Sequence, residues 1–285
     1  DKKLAGDWRG IMMSKNIAGA VCSVTIIYFL FGPGKLPHWI RWPVVIAAAV
    51  FLFFSQSKTS GVMVVGAIII ALLYANFKSR YRGIAIAIVF LLFMAAAVLV
   101  TIYANPIRSL ANDPTAFTGR MQIWTMLLRY AADSNYMGAG FGAFWSTANS
   151  PVYSYATNWV ARIHAGHSGY LDLLVTVGAV GVVLVVISVI IAPAFNLLRL
   201  PFGAAQDGAL PLAVLFFGAG HNATETSMFD RDTIVNVFML IAVAMIAKLL
   251  TSRAKPSRGK SDEMQRPTAR EMAHLSSAPW KDMRP

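Results

Sequence analysis

The chain is short of charge, shorter still of acid, and nearly without cysteine. Charged residues make up 13% of its 285 positions and apolar residues 56%; soluble domains carry roughly a quarter charged. So few charges cannot cover a water-facing surface, which excludes a soluble enzyme, and so apolar a chain is not disordered. The lack of acid leaves a net charge of +12. Cys22 is the single cysteine, so no internal disulfide can form and a disulfide scaffold is excluded. It stands in an apolar run and reads as a packed side chain.

What is present is a succession of charge-free apolar runs. Gly83–Asn105, Ser168–Asn196 and Thr233–Ala247 are the clearest, and Gly61–Phe77 is a fourth. Ile17–Phe31 and Val44–Gln56 are shorter, and Gly208–Gly220 is the weakest, a tilted span or a re-entrant piece. A bilayer core needs roughly 20 helical residues, and lipid leaves no partner for an unpaired backbone group. The expected fold is therefore all-α: a polytopic membrane helix bundle of about seven spans with one large outer loop.

Basic loops orient such a bundle. Lys35 and Arg41, then Lys78, Arg80 and Arg82, then Arg199, then Lys248, Arg253 and Lys255 fall on one side of an alternating topology, the cytoplasmic side. The expected organisation is an outer lead (1–16), four membrane helices (17–104), an outer loop domain (105–166), three membrane helices (167–250) and a tail (251–285). The tail holds eight basic and four acidic residues with much Pro and Ser. It reads as a disordered cytoplasmic segment at an anionic leaflet, not as a nucleic-acid binder. The chain starts at Asp1 on the outer side without a signal-peptide pattern, and we expect a fragment whose earlier spans lie upstream.

The outer loop is too long for a plain connector. Within it Thr118–Asp133 reads as a helix that Thr118 could cap, with Ile123, Met126, Leu127 and Tyr130 on one face. Gly138-Ala139-Gly140-Phe141-Gly142 follows as a flexible stretch and leads to Phe144-Trp145. Tyr153, Tyr155 and Trp159 add aromatics that suit either the membrane interface or stacking on sugar rings.

Positive residues on the outer side break the orientation bias, so each needs a reason. Arg9 and Lys15 precede the first span; Lys58 sits in Ser55-Gln56-Ser57-Lys58-Thr59-Ser60; Arg120 opens the loop helix; Arg162, His164 and His167 stand before the fifth span. Cations gathered at helix N-termini make an anion site. Each also has a plainer explanation: headgroup anchoring for Arg9 and Lys15, pairing with Asp113 or Asp133 for Arg120, an interfacial imidazole for His167.

His167-Ser168, nine residues, then Gly178-Ala179-Val180-Gly181 resembles the His-[Asn/Ser/Gln]-x9-Gly-x2-Gly signature of O-antigen ligases. His164-Ala165-Gly166-His167-Ser168-Gly169-Tyr170-Leu171-Asp172 resembles a segment of the exopolysaccharide (succinoglycan-type) polymerases of the same superfamily, with Gly166 added between the histidines. Gly119-Arg120 before Trp124, the Gly138–Gly142 stretch, the Ser-x-Ser-Lys-Thr turn at Lys58, and Trp8-Arg9-Gly10-Ile11 with Lys15-Asn16 resemble further motifs, the last two those of the polymerases. Ser14 stands where those polymerases carry His. Asn222-Ala223-Thr224-Glu225 resembles an Asn-x-Thr-Glu motif and nominates Glu225.

The resemblance implies a GT-C-like membrane glycosyltransferase of a bacterial inner membrane with its site facing the periplasm. It implies an undecaprenyl-pyrophosphate-linked glycan donor, a glycan acceptor, and a flippase and chain-length regulators as partners. Lys58 and Arg120 would take the pyrophosphate charge, supported by Arg9 and Lys15, with no cofactor and no metal. His167 or Glu225 would act on the acceptor hydroxyl, and Arg162, His164, Tyr153, Tyr155 and Trp159 would bind substrate. Lys58 in place of the ligases' usual Arg favours a polymerase over a ligase. A transporter is the reading from a different class; the scarcity of charge within the spans weighs against it.

Overall fold

In a computed structural model the chain is described at residues 7–32, 34, 36–76, 81, 83–84, 120–145, 147–156, 158–200, 205–230 and 233–254. The described residues are helical or irregular, with no strand among them. Three apolar helices come first: the shorter α1 (Lys15–Phe31), then α2 (His38–Ser55) and α3 (Lys58–Asn76). Then come the loop helix α4 (Arg120–Asp133), the short α5 (Val152–Tyr155) and a 3-10 turn (Asn158–Arg162). The 30-residue α6 (Gly169–Leu198), α7 (Ala205–His221) and α8 (Ile234–Ala254) complete the set. The expected fourth span, Gly83–Asn105, beyond Ile84, the first part of the loop with Thr118, and the tail beyond 254 lie outside the described residues.

Among the described residues, α2, α3, α6 and most of α8 are long and apolar enough to cross a bilayer. The outer faces of α2, α3 and α6 carry Val50, Phe53, Val62, Val65, Val183, Leu184, Ile187 and Ile191, all exposed. So much outward-facing aliphatic surface suits acyl chains, not water.

Between helices in lipid, close approach is the main source of stability, and small residues permit it. α3 and α7 run antiparallel in contact along their length. Gly220 meets the Met63 side chain, Gly66 meets Phe216, and Gly208 meets Tyr74. Tyr74 is fully buried and donates its hydroxyl to the Leu197 carbonyl at 2.9 Å. α1 joins the same face, where Gly19 approaches Ser57 and Ser60, and the Ser23 hydroxyl reaches the Gly19 carbonyl at 2.8 Å. Ser14, where the polymerases have His, caps α1 by accepting from the Ile17 amide at 3.2 Å.

The loop domain has its own core. Ile123, Met126, Leu127 and Tyr130 do share the buried face of α4, and Phe144, Val152, Val160 and Val175 close over them. Phe144 is fully buried and Trp145 packs beside it, so this pair is not a set of interfacial anchors.

The glycine-rich stretch corrects an expectation: it is pinned. α6 breaks at Gly178, whose φ of 75° and ψ of 178° are not helical. The segment 136–140 fills the break. Ala179 donates to the Tyr136 carbonyl at 2.8 Å, Ala139 to Val175 at 2.8 Å, and Gly140 to Thr176 at 2.8 Å. Backbone groups freed inside an apolar helix need partners, and this loop supplies them. A Cβ on Gly178 would stand 2.6 Å from the Tyr136 and Met137 carbonyl oxygens, so no other residue fits.

Candidate active site

The ends of four helices meet at Glu225, in the turn after α7. Glu225 is 9% exposed. Its Oε1 accepts from the Arg120 guanidinium, at the first position of α4, and from Asn16 Nδ2 at 2.6 Å, at the start of α1. Its Oε2 faces His167 Nδ1 at 3.7 Å, just before α6. The second guanidinium arm of Arg120 donates to the Thr224 carbonyl. Arg120 thus grips the 224–225 turn in a fork, as a planar guanidinium can. Its partner is Glu225, not Asp133; Asp113 lies outside the described residues.

Lys58 is brought in by the turn between α2 and α3. The Thr59 and Thr224 hydroxyls are bonded at 2.8 Å, which lays this turn against the Glu225 turn. The Ser57 hydroxyl lies 2.9 Å from the Ser60 hydroxyl and 3.4 Å from Asn16 Oδ1, within hydrogen-bonding reach of both. The Lys58 side chain is exposed and stands at the rim of an apolar groove of about 630 Å³ between α1, α2 and α3. Trp42, Leu52, Phe53 and Val64 line it.

The start of α6 is tied to the same turn. The Gly169 amide donates to the Asn222 and Glu225 carbonyls at 2.9 and 3.1 Å, so this helix-terminal amide is already engaged and is not free for an anion. Asn222, fully buried, accepts from the Ser227 and Met228 amides and donates to Gly218. A Cβ on Gly169 would meet Asn222 Oδ1 at 2.2 Å. His167 itself is left-handed at φ 51°, with its side chain 44% exposed.

The electrostatics follow. Burial pushes the Glu225 carboxyl up, but His167 and the Arg120 guanidinium outweigh it and hold the group below its ordinary 4.5. Glu225 is therefore an anion that fixes its neighbours in place. The His167 side chain is 44% exposed against 12% for that of Glu225.

The other expected residues lie further out. Lys15 forms an ion pair with Asp7 at 2.8 Å, so its charge is already partly neutralised. Arg9, Arg162 and His164 are exposed. Beside Arg9, Trp8 stacks on Phe54 at 4.7 Å at the end of α2. Tyr153 is exposed. Trp159 is exposed too, and its indole donates to Gln122 at 3.0 Å. Tyr155 is partly buried and packs edge-on against Tyr130 at the side of the loop core.

Asn16 escaped the sequence reading. Asparagine at a helix start ordinarily signals a cap; the available hint was its place in the Lys15-Asn16 motif. Thr59 and Thr224 also stand in motifs, but their pairing is invisible until the turns are folded together.

The fold and site define a helical membrane protein with an ionic cluster at one end of its bundle. The sequence profile of the O-antigen ligase family matches residues 43–186, about half the chain, and the chain belongs to that family. Its function is thus of the membrane ligase or polymerase type, acting on lipid-linked glycans. No match was found among curated proteins.

Proposed function

We propose that the chain is a metal-independent, inverting glycosyltransferase that polymerises undecaprenyl-pyrophosphate-linked oligosaccharide repeats into surface exopolysaccharide at the periplasmic face of a bacterial inner membrane. The observation that carries this reading is the convergence of Arg120, Glu225 and His167, with Lys58 on the adjoining turn.

The acceptor hydroxyl attacks the anomeric carbon, the bond from that carbon to the pyrophosphate oxygen breaks, and the lipid pyrophosphate departs with the electron pair. His167 takes the hydroxyl proton. Its Nδ1 is turned to Glu225, which leaves Nε2 for the acceptor, the arrangement of a base oriented by a carboxylate. Glu225, held acidic and bonded to Arg120, is the weaker base and acts as the orienting group. Arg120 and Lys58 take the charge growing on the pyrophosphate. The groove beside Lys58 suits part of the isoprenoid chain, which would leave the pyrophosphate near the lysine.

A second reading, an O-antigen ligase that moves a finished glycan to an acceptor lipid or protein, has the family match in its favour. Lys58 and the Trp8-Arg9-Gly10-Ile11 lead favour the polymerase.

The test replaces Lys58, Arg120 and His167 singly by Ala and measures glycan chain length in membranes supplied with lipid-linked repeats. We expect elongation to fall by about 100-fold or more in the Arg120 and His167 variants, the usual loss for a charge-stabilising or proton-transferring group, and less for Lys58. Long chains at normal yield from all three would sink the assignment.

A further inference from the structure

Asp172 lies in the first turn of α6, 7% exposed, and the chemistry above gives it no task. A buried carboxylate is costly unless its oxygens are bonded, and here they are. The Gly166 amide donates to both Oδ1 and Oδ2 at 3.0 Å. The Trp145 indole donates to Oδ1 at 2.9 Å, and the Thr226 hydroxyl to Oδ2. A first-turn acid that served only the helix dipole would not need these donors, which all come from outside the helix.

Two of them are the chain neighbours of the reacting pair. Gly166 precedes His167, and Thr226 follows Glu225. Trp145 anchors the loop domain to the same carboxylate. A Cβ on Gly166 would stand 2.6 Å from Asp172 Oδ1 and 2.6 Å from Leu127, so only glycine lets the backbone close onto the carboxylate. The spacing His164-x-x-His167 therefore has a physical reason: the added glycine delivers an amide to Asp172. With that amide fixed, His167 can be held at φ 51°, a conformation non-glycine residues keep only when their flanks are constrained.

We propose that Asp172 is the positioning residue of the site: it sets the distance between His167 and Glu225 by gripping the residue next to each, without touching substrate. Its effect on turnover rests on the proposed function; the clamp itself does not.

The experiment uses the full chain in nanodiscs and follows two readouts. One is amide hydrogen exchange in segments 163–168 and 222–228. The other is kcat and KM for glycan transfer from lipid-linked repeats. Asp172→Ala is expected to speed exchange in both segments and to lower kcat about 100-fold, the cost of a misplacement near 1 Å, with KM little changed. Asp172→Asn, which keeps an acceptor for Gly166 and Trp145, is expected to recover a large part of both. Where Asp172→Ala does not fold, Thr226→Val removes one arm and is expected to speed exchange in 222–228 alone. Unchanged exchange in these segments would overturn the proposal whatever the activity, and so would a loss confined to KM. Faster exchange in the variants of a protein that transfers no sugar even as wild type would leave the clamp standing and sink the glycosyltransferase reading.

Discussion

Glu225 joins α1, α4, the lead into α6 and the turn after α7 through one carboxylate, and its ionisation sets how the site answers to acid. Its folded value is held below the ordinary 4.5, so the stabilisation it contributes is complete above that value and is lost as pH falls through the folded one. Glu225 should therefore contribute a decline in the melting temperature of the purified protein below pH 4.5. Glu225→Gln should flatten that decline. A wild-type curve with no acid limb would contradict the ionic role. Glu225→Ala goes further, because it leaves the Arg120 guanidinium, 16% exposed, without its anion. The loss expected is about 3 kcal/mol, the lower end for breaking a buried pair because some water reaches this one; chemical or thermal unfolding in detergent measures it. Arg120 and His167 could be picked out from the sequence, because basic residues on the outer side of a membrane protein are unusual enough to need explaining; Glu225 is nominated there only by the Asn-x-Thr-Glu motif that its surroundings resemble. Their pairing could not, since Arg120 and Glu225 are 105 positions apart.

At the scale of elements, the decisive feature is the break in α6. The sequence there is an unbroken apolar run and reads as one straight span. Periodicity carries no sign that Gly178 leaves the helix, because its cause is a loop some forty residues upstream that supplies the missing backbone partners. For the same reason Gly138–Gly142, read alone, suggests flexibility, whereas the folded chain uses these residues as a backbone plug. Gly178→Ala forces an alanine into a conformation open in practice only to glycine, at a cost of about 1–3 kcal/mol before its clash with two carbonyls is added. We expect a clear fall in melting temperature and faster proteolysis of the 136–145 loop. Gly61→Ala in α3 is the control, since nothing lies within 4 Å of the added methyl. Equal melting temperatures for the two variants would show that the break is not needed.

At the scale of the molecule, the bundle turns its aliphatic faces outward and gathers its polar groups at one end. The proposed chemistry makes a prediction for the cell as well. In a deletion strain, single repeats should accumulate on the lipid carrier if the protein is a polymerase, and long lipid-linked chains if it is a ligase. Transfer should also survive a metal chelator, because Arg120 and Lys58 are assigned the charge-stabilising work; loss of activity on chelation, restored by a divalent cation, would refute that part.

Composition alone was enough to place this chain among helical membrane proteins, because lipid admits helices whose side chains are apolar and accepts little else. Local pattern was enough for α4, its buried face and the positions of most helices. What required the folded chain were the interactions between distant segments: the α3–α7 seam, the plug at Gly178, the Asp172 clamp, and the meeting of Asn16, Arg120, His167 and Glu225. Hydropathy describes how each segment meets its solvent. Partners for buried polar atoms are chosen by geometry across the bundle, which no single stretch of sequence contains.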